Sequence, residues 1–522
     1  MARAQDAPET ICMLPGRPVS LLRLLFCGLL VSAFGCNRQE PPGAHEASPI
    51  QLVVGAESGS AGSLRSEIQI GSLHDNLPFI PQSLKLASIA WRTWIYTDTG
   101  PDRTRLGYLR AGAIVDARAP AIENSGCLGG WYRINPRGFV CVGKGATLDL
   151  NHPVVRHQQR RPTRNQAFPY VYAMSGEPPP DRYFRLPSKA QMRAVEGPAV
   201  ADRALSWLLR ARSSGLAERI GLGEPPSFLS STEPLHKAYG SKNHLRTQLT
   251  AGRAGPGSGF ALAYTFAWED RGFGLTTEMD LVALDRLRIA EPQALSGVAM
   301  DAQPTAGVAF HVKGALTLWK ETARETFAPA AEQTEKRGFA LTGRSARGGL
   351  LETSEGLWIA KDSVQLLSLR DGFPSVAQGS RKWIDISIRD QTLVAYVGRS
   401  PVFATLVSTG RGQMGDPETS FATVRGTFMI FEKSVSSTMD GDSDRADSYE
   451  LLDVPFVQYF HKGYALHGAY WHDEFGKARS HGCINLSAKD SAWLFEWSDP
   501  PVPPGWHAVL NKERGTVVYV RY

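Results

Sequence analysis

His467-Gly468-Ala469-Tyr470-Trp471, followed after a polar run by Ser480-His481-Gly482-Cys483-Ile484-Asn485-Leu486, is the stretch on which the reading of this chain turns. One cysteine sits in a short, glycine-containing turn, and two histidines precede it. A free thiol has a pKa of about 8.5, so little of it is thiolate at neutral pH, and the anion is the nucleophile. An imidazole within hydrogen-bond reach takes the proton, and backbone N–H groups around Gly482 and Cys483 can hold an oxyanion. A lone cysteine is more often a small buried hydrophobe. Zinc ligation by His467, His481 and Cys483 is the other reading, but the spacing fits no familiar zinc pattern. The joint pattern points to nucleophilic catalysis.

His467-Gly468 with Ser480-His481-Gly482-Cys483 behind it resembles the signature of the L,D-transpeptidase catalytic domain (YkuD type), the cysteine enzymes that cross-link bacterial peptidoglycan. The resemblance implies that Cys483 is the nucleophile and His467 its general base, with the Gly468 carbonyl orienting the imidazole. Ser480, His481, Gly482 and Asn485 would shape the pocket and oxyanion site. Many members of the family carry arginine where this chain has Asn485. Tyr464, Tyr470 and Trp471 would wall a substrate groove, with core packing as the alternative. The implied reaction passes an acyl group from a stem peptide through a cysteine thioester, with release of the donor's terminal D-alanine, and calls for no metal and no cofactor. An L,D-carboxypeptidase using the same site and a non-catalytic wall-binding scaffold are the rival readings.

A chain of 522 residues exceeds one ordinary domain. With 42% hydrophobic and 21% charged residues its composition is globular, and a net charge of +6 makes no case for nucleic acid. Residues 1–36 read as a lipoprotein signal peptide. Arg3, Arg17 and Arg23 precede the apolar run from Leu24 to Phe34, and Ser32-Ala33-Phe34-Gly35-Cys36 resembles a lipobox, which implies lipidation of Cys36. The mature chain is then expected on the periplasmic face of the bacterial envelope, anchored by lipid. Residues 37–80, rich in Gly, Ser, Pro and Ala, read as a flexible linker. Cys127 and Cys141 remain as a candidate disulfide, with two reduced thiols as the alternative.

The expected architecture is multidomain and mainly β. Residues 84–150 resemble a bacterial SH3-like barrel. Residues 151–370 read as an α+β middle region with a possible second SH3-like unit around Trp358. Within it, Leu205, Leu208 and Leu209 predict a helix from Pro198, and Phe260 to Trp268 alternate as a strand. The resemblance then implies a sandwich- or barrel-like catalytic domain with short helices over 382–522. Ile384, Ile386 and Ile388 predict a hairpin with one buried face. Residues 434–449 are polar and read as a mobile flap, and Phe456 to Leu466 as one strand leading into His467. Ser487 with Asp490 predicts a capped helix through Trp497, ended by Pro500.

Overall fold

A computed structural model describes residues 84–522 except 161, 165, 242–247, 301–305, 371 and 441–449. The expected signal peptide, Cys36 and the linker lie outside the described residues.

The C-terminal part is a sandwich of two sheets. Its strands are β1 (Lys382–Ser387), β2 (Thr392–Val397), β3 (Ser400–Leu406), β4 (Gly426–Met429), β5 (Glu432–Asp440), β6 (Glu450–His461), β7 (Tyr464–Gly468), β8 (Ile484–Leu486), β9 (Ala508–Leu510) and β10 (Val517–Arg521), with one helix, α1 (Ala488–Trp497). One sheet runs β3-β2-β1-β10-β4, with Val298–Ala299 added at the β3 edge. The other runs β9-β5-β6-β7-β8, antiparallel except for the parallel pair β7–β8. Ile384, Ile386, Leu393 and Val518 from the first sheet meet Phe460, Leu466, Ile484 and Leu486 from the second, all at 3% exposure or less. Each such side chain taken from water is worth roughly 1.5–3 kcal/mol, which holds the sheets face to face.

The alternation in β1 and β2 yields the predicted hairpin, but its second face is buried as well. Trp383, Val394 and Tyr396 pack against Val308, Phe310 and Leu367. These belong to a seven-stranded sheet spanning Gly307 to Leu367, which covers what a lone hairpin would leave to solvent. Two further expectations are corrected. The stretch from Phe456 to Leu466 is a hairpin, β6 and β7, that turns at Lys462-Gly463, where Lys462 takes a φ of 45°. Half of the expected flap is strand: β5 buries Ser434, Ser436 and Ser437 between β6 and β9. Residues 441–449 lie outside the described residues.

Residues 84–147 form short antiparallel strands closed over Leu86, Ile95, Leu109, Val115, Ile134 and Val140. A disulfide joins Cys127 to Cys141, with a Cα separation of 5.8 Å. This unit is not free-standing. Its strand Arg105–Leu109 pairs with β9, and its core continues into Val435, Phe456, Phe495, Trp506 and Val509. In the middle region the predicted helix is Val200–Ser213, but its buried face is Val200, Ala204, Leu208 and Ala211. Leu205 and Leu209, expected inside, are 49% and 57% exposed. Small residues occupy that face because the helix packs close to the strand Arg271–Thr276, where Trp207 fills the space over Gly272.

Candidate active site

The parallel pairing of β7 with β8 builds the site. Leu466 lies opposite Ile484, His467 opposite Asn485, and Gly468 opposite Leu486. Residues opposite one another in a parallel pair share a face, and alternate residues along a strand return to it. Leu466 and Ile484 enter the sandwich core, whereas Ala465 and Cys483 belong to a different cluster on the outer face. His467 and Asn485 therefore lie on the same face as Cys483. By ordinary strand rise and spacing the Cα atoms of His467 and Cys483 are about 8 Å apart. The Cys483 sulfur lies 3.8 Å from the Gly463 carbonyl, and no hydrogen bond joins it to His467 Nε2.

The turn before β8 is held by its own polar groups. Ser480 Oγ donates to the Cys483 carbonyl and accepts the Gly482 N–H at 3.0 Å. Thr423 Oγ1 donates to the Gly482 carbonyl at 2.8 Å. Gly482 has a φ of 130°, and a Cβ there would stand 2.8 Å from a ring carbon of Tyr464, so only glycine fits. The Gly482 N–H is thus spent within the turn.

Three histidines lie near this turn, and their hydrogen bonds separate their roles. His481 Nε2 receives an N–H from Arg411 at 2.9 Å and packs edge-on to Phe421. His472 uses both ring nitrogens, one with the Glu474 amide and one with the Asn485 side chain. His467 gives its Nδ1–H to the Gly468 carbonyl at 3.1 Å, which leaves Nε2 as the basic nitrogen. That Nε2 is buried and has no hydrogen-bond partner in the structure. Cys483 and His467 are both fully buried, and the Cys483 sulfur is disulfide-bonded in the structure, so thiol chemistry belongs to the reduced chain.

Of the residues expected to wall a groove, Trp471 lies 5.8 Å from the His467 ring, centroid to centroid, and Tyr464 packs beneath the turn with its hydroxyl on the Pro417 carbonyl. Tyr470 sits in the core instead: it is 3% exposed and stacked at 4.4 Å on Tyr172 of the middle region. Gln293, Thr423 and His472 were missed. Gln293 binds the carbonyls of Ala469 and His472 and the amide of Ala488, fixing the loop after His467 to the start of α1. Thr423 opens the run Thr423-Val424-Arg425-Gly426 just before β4, and its bond to the turn is invisible in sequence. As expected, α1 starts at Ser487, whose side chain accepts the Asp490 N–H, and it follows β8 directly. Among the described residues no cluster of three or more His, Cys, Asp or Glu could hold a metal.

Burial lowers the pKa of His467 to about 4, opposed in part by its bond to the Gly468 carbonyl. An unfolded histidine takes its proton near pH 6.5 and the folded one only near 4, so His467 costs stability as pH falls through that window. Buried Asp490, raised to about 6, and Glu278, raised to about 7, act in the opposite sense, so the variant must be compared with the parent. Relative to the parent, His467→Gln is expected to make the slope of unfolding free energy against pH less positive by up to about 1.4 kcal/mol per pH unit in that window. Urea titrations of both proteins at several pH values measure it. Identical slopes would show that His467 is not held as a neutral imidazole.

Comparison with known proteins shows what this part of the chain is similar to. Residues 381–520 match the family model of the L,D-transpeptidase catalytic domain (YkuD). The matched stretch runs from before β1 into β10 and includes the turn with Cys483. Bacillus subtilis (strain 168) YciB, which carries the L,D-transpeptidase name, is 24% identical over 164 residues, covering 26% of this chain and 71% of the relative. A crystal structure of an Enterococcus faecium L,D-transpeptidase mutant is 22% identical with a TM-score of 0.21, and the match covers 27% of this chain and half of that one. L,D-transpeptidase 3 from Mycobacterium tuberculosis is 21% identical with a TM-score of 0.22, over 35% of this chain and 79% of that one.

Proposed function

We propose that the chain is a peptidoglycan L,D-transpeptidase that works through a thioester on Cys483. The family match supports an L,D-transpeptidase-type enzyme acting on peptidoglycan peptides. What carries the finer reading is the histidine accounting: His467 shares the face of Cys483, and its Nε2 has no hydrogen-bond partner. In the reduced chain that nitrogen takes the thiol proton, and the thiolate attacks the carbonyl carbon of the third residue of a tetrapeptide stem. The tetrahedral intermediate collapses with loss of the D-alanine amine, which receives the proton from the imidazolium. An amine of a neighbouring stem then attacks the thioester, gives its proton to His467, and releases the thiolate. On the same reading Cys36 carries the lipid anchor, the enzyme faces the periplasm, and the unit at 84–150 is an SH3-like module beside the catalytic domain.

The test is to incubate the reduced chain with tetrapeptide muropeptides and identify products by mass spectrometry. Dimers joined between third residues support the proposal. Tripeptides alone would make the chain an L,D-carboxypeptidase, and unchanged substrate would leave a scaffold.

A further inference from the structure

The pairing of His472 with Asn485 fixes the chemistry of a second group on the catalytic face. His472 is 8% exposed and Asn485 2%. The Glu474 backbone N–H, which can only donate, lies 3.3 Å from His472 Nδ1, so that nitrogen must accept. The proton of a neutral imidazole then sits on Nε2. Burial, with Arg479, His467 and Lys336 nearby, lowers the His472 pKa to about 3, so the neutral ring is the form present at pH 7. The Nε2–H points at the Asn485 side-chain amide 3.0 Å away and needs an acceptor there. The amide oxygen is the only acceptor that group has, and the amide orientation is assigned by the bonds it makes. With the oxygen on His472, the two N–H donors of Nδ2 occupy the other branch of the amide. The atom of that branch is buried, and no donor of the protein reaches it in the structure.

Asn485 lies opposite His467 in the β7–β8 pair, on the face of Cys483. We infer that His472 is a positioning residue that holds the Asn485 amide with its N–H donors towards the catalytic face, for a carbonyl or carboxylate oxygen of the acyl donor. A buried donor pair left unmade costs about 1–3 kcal/mol, and a substrate oxygen removes that cost. With the Gly482 amide already engaged in the turn, Asn485 supplies a donor the turn does not. The inference rests on the proposed enzyme activity for its substrate, but not for its geometry.

Two readouts test it separately. The chain has 12 histidines, so selective 15N-histidine labelling of the reduced full-length protein, with the His472→Gln spectrum for assignment, reads the tautomers without any substrate. The expected result is Nε2–H for His472 and Nδ1–H for His467. An Nδ1–H tautomer at His472 overturns the inference even if the enzyme is active. In kinetics with tetrapeptide donors, His472→Ala and Asn485→Ala should each lower kcat/KM about 10- to 100-fold, and the double variant should be no worse than either single one. His472→Gln, which keeps a donor near Nε2, should recover most of the activity with the thermal stability of His472→Ala. Losses that multiply in the double variant, or no rescue by glutamine, would overturn the role of His472. An inactive parent would overturn the enzyme reading and leave the tautomer result standing.

Discussion

Replacing Cys483 by alanine is expected to abolish formation of every peptide product, and His467→Ala to lower turnover by at least about 1,000-fold. The first change removes the atom that carries the acyl group. The second removes the ring nitrogen that has no other hydrogen-bond partner at the turn, and triad-type groups that act as a unit lose activity on this scale when one is deleted. His481 cannot substitute, since its Nε2 already receives an N–H from Arg411. His472 cannot either, with its Nδ1 on Glu474 and its Nε2 on Asn485. Single-turnover assays of the reduced proteins measure both losses. A His467→Ala variant within tenfold of the parent would mean that another group takes the thiol proton.

The second large effect is on stability. Asp453 in β6 is fully buried and takes two hydrogen bonds from Arg110 of the N-terminal unit, at 3.0 and 2.9 Å, and one from Ser436 at 2.8 Å. Its backbone carbonyl accepts the Tyr172 hydroxyl at 2.6 Å, so a single residue ties the N-terminal unit and the middle region to the catalytic sandwich. Burial raises its pKa, but Arg110 with His507 and Ser436 outweighs burial and leaves the pKa below the usual value. Asp453→Ala strands Arg110 in a buried site and is expected to cost about 3–5 kcal/mol in urea unfolding. Arg110→Met with Asp453→Asn should cost much less, because no charge is left unpaired and asparagine tolerates the φ of 47° at position 453. A single variant as stable as the parent would show that the ion pair does not hold the units together.

The hairpin of β1 and β2 and the capped helix α1 were legible because their signals are local. Ile384, Ile386 and Ile388 alternate, and Ser487 stands three residues before Asp490. The burial of the hairpin's other face was not legible, since its cover comes from Val308, Phe310 and Leu367, far away in sequence. β5 was misread for a similar reason: Ser434, Ser436 and Ser437 look like a polar loop until β6 and β9 are seen to enclose them. At the site, the types and order of His467, Ser480, Gly482 and Cys483 announce a thiol chemistry. The assignment of the base does not follow from order alone, because it depends on which ring nitrogens are already bonded. His472 carries no signal of its own in sequence, since in Tyr470-Trp471-His472 it reads as one more polar residue after an aromatic pair. The Lys462-Gly463 turn that splits β6 from β7 was a readable signal, overridden by the long apolar run before it.

The most direct measurement is the intact mass of the reduced chain after mixing with a tetrapeptide donor and no acceptor amine. The account predicts a mass gain equal to the donor less D-alanine, localised by peptide mapping to Cys483 and lost in the Cys483→Ala protein. No mass gain, or a gain that persists in Cys483→Ala, would contradict it.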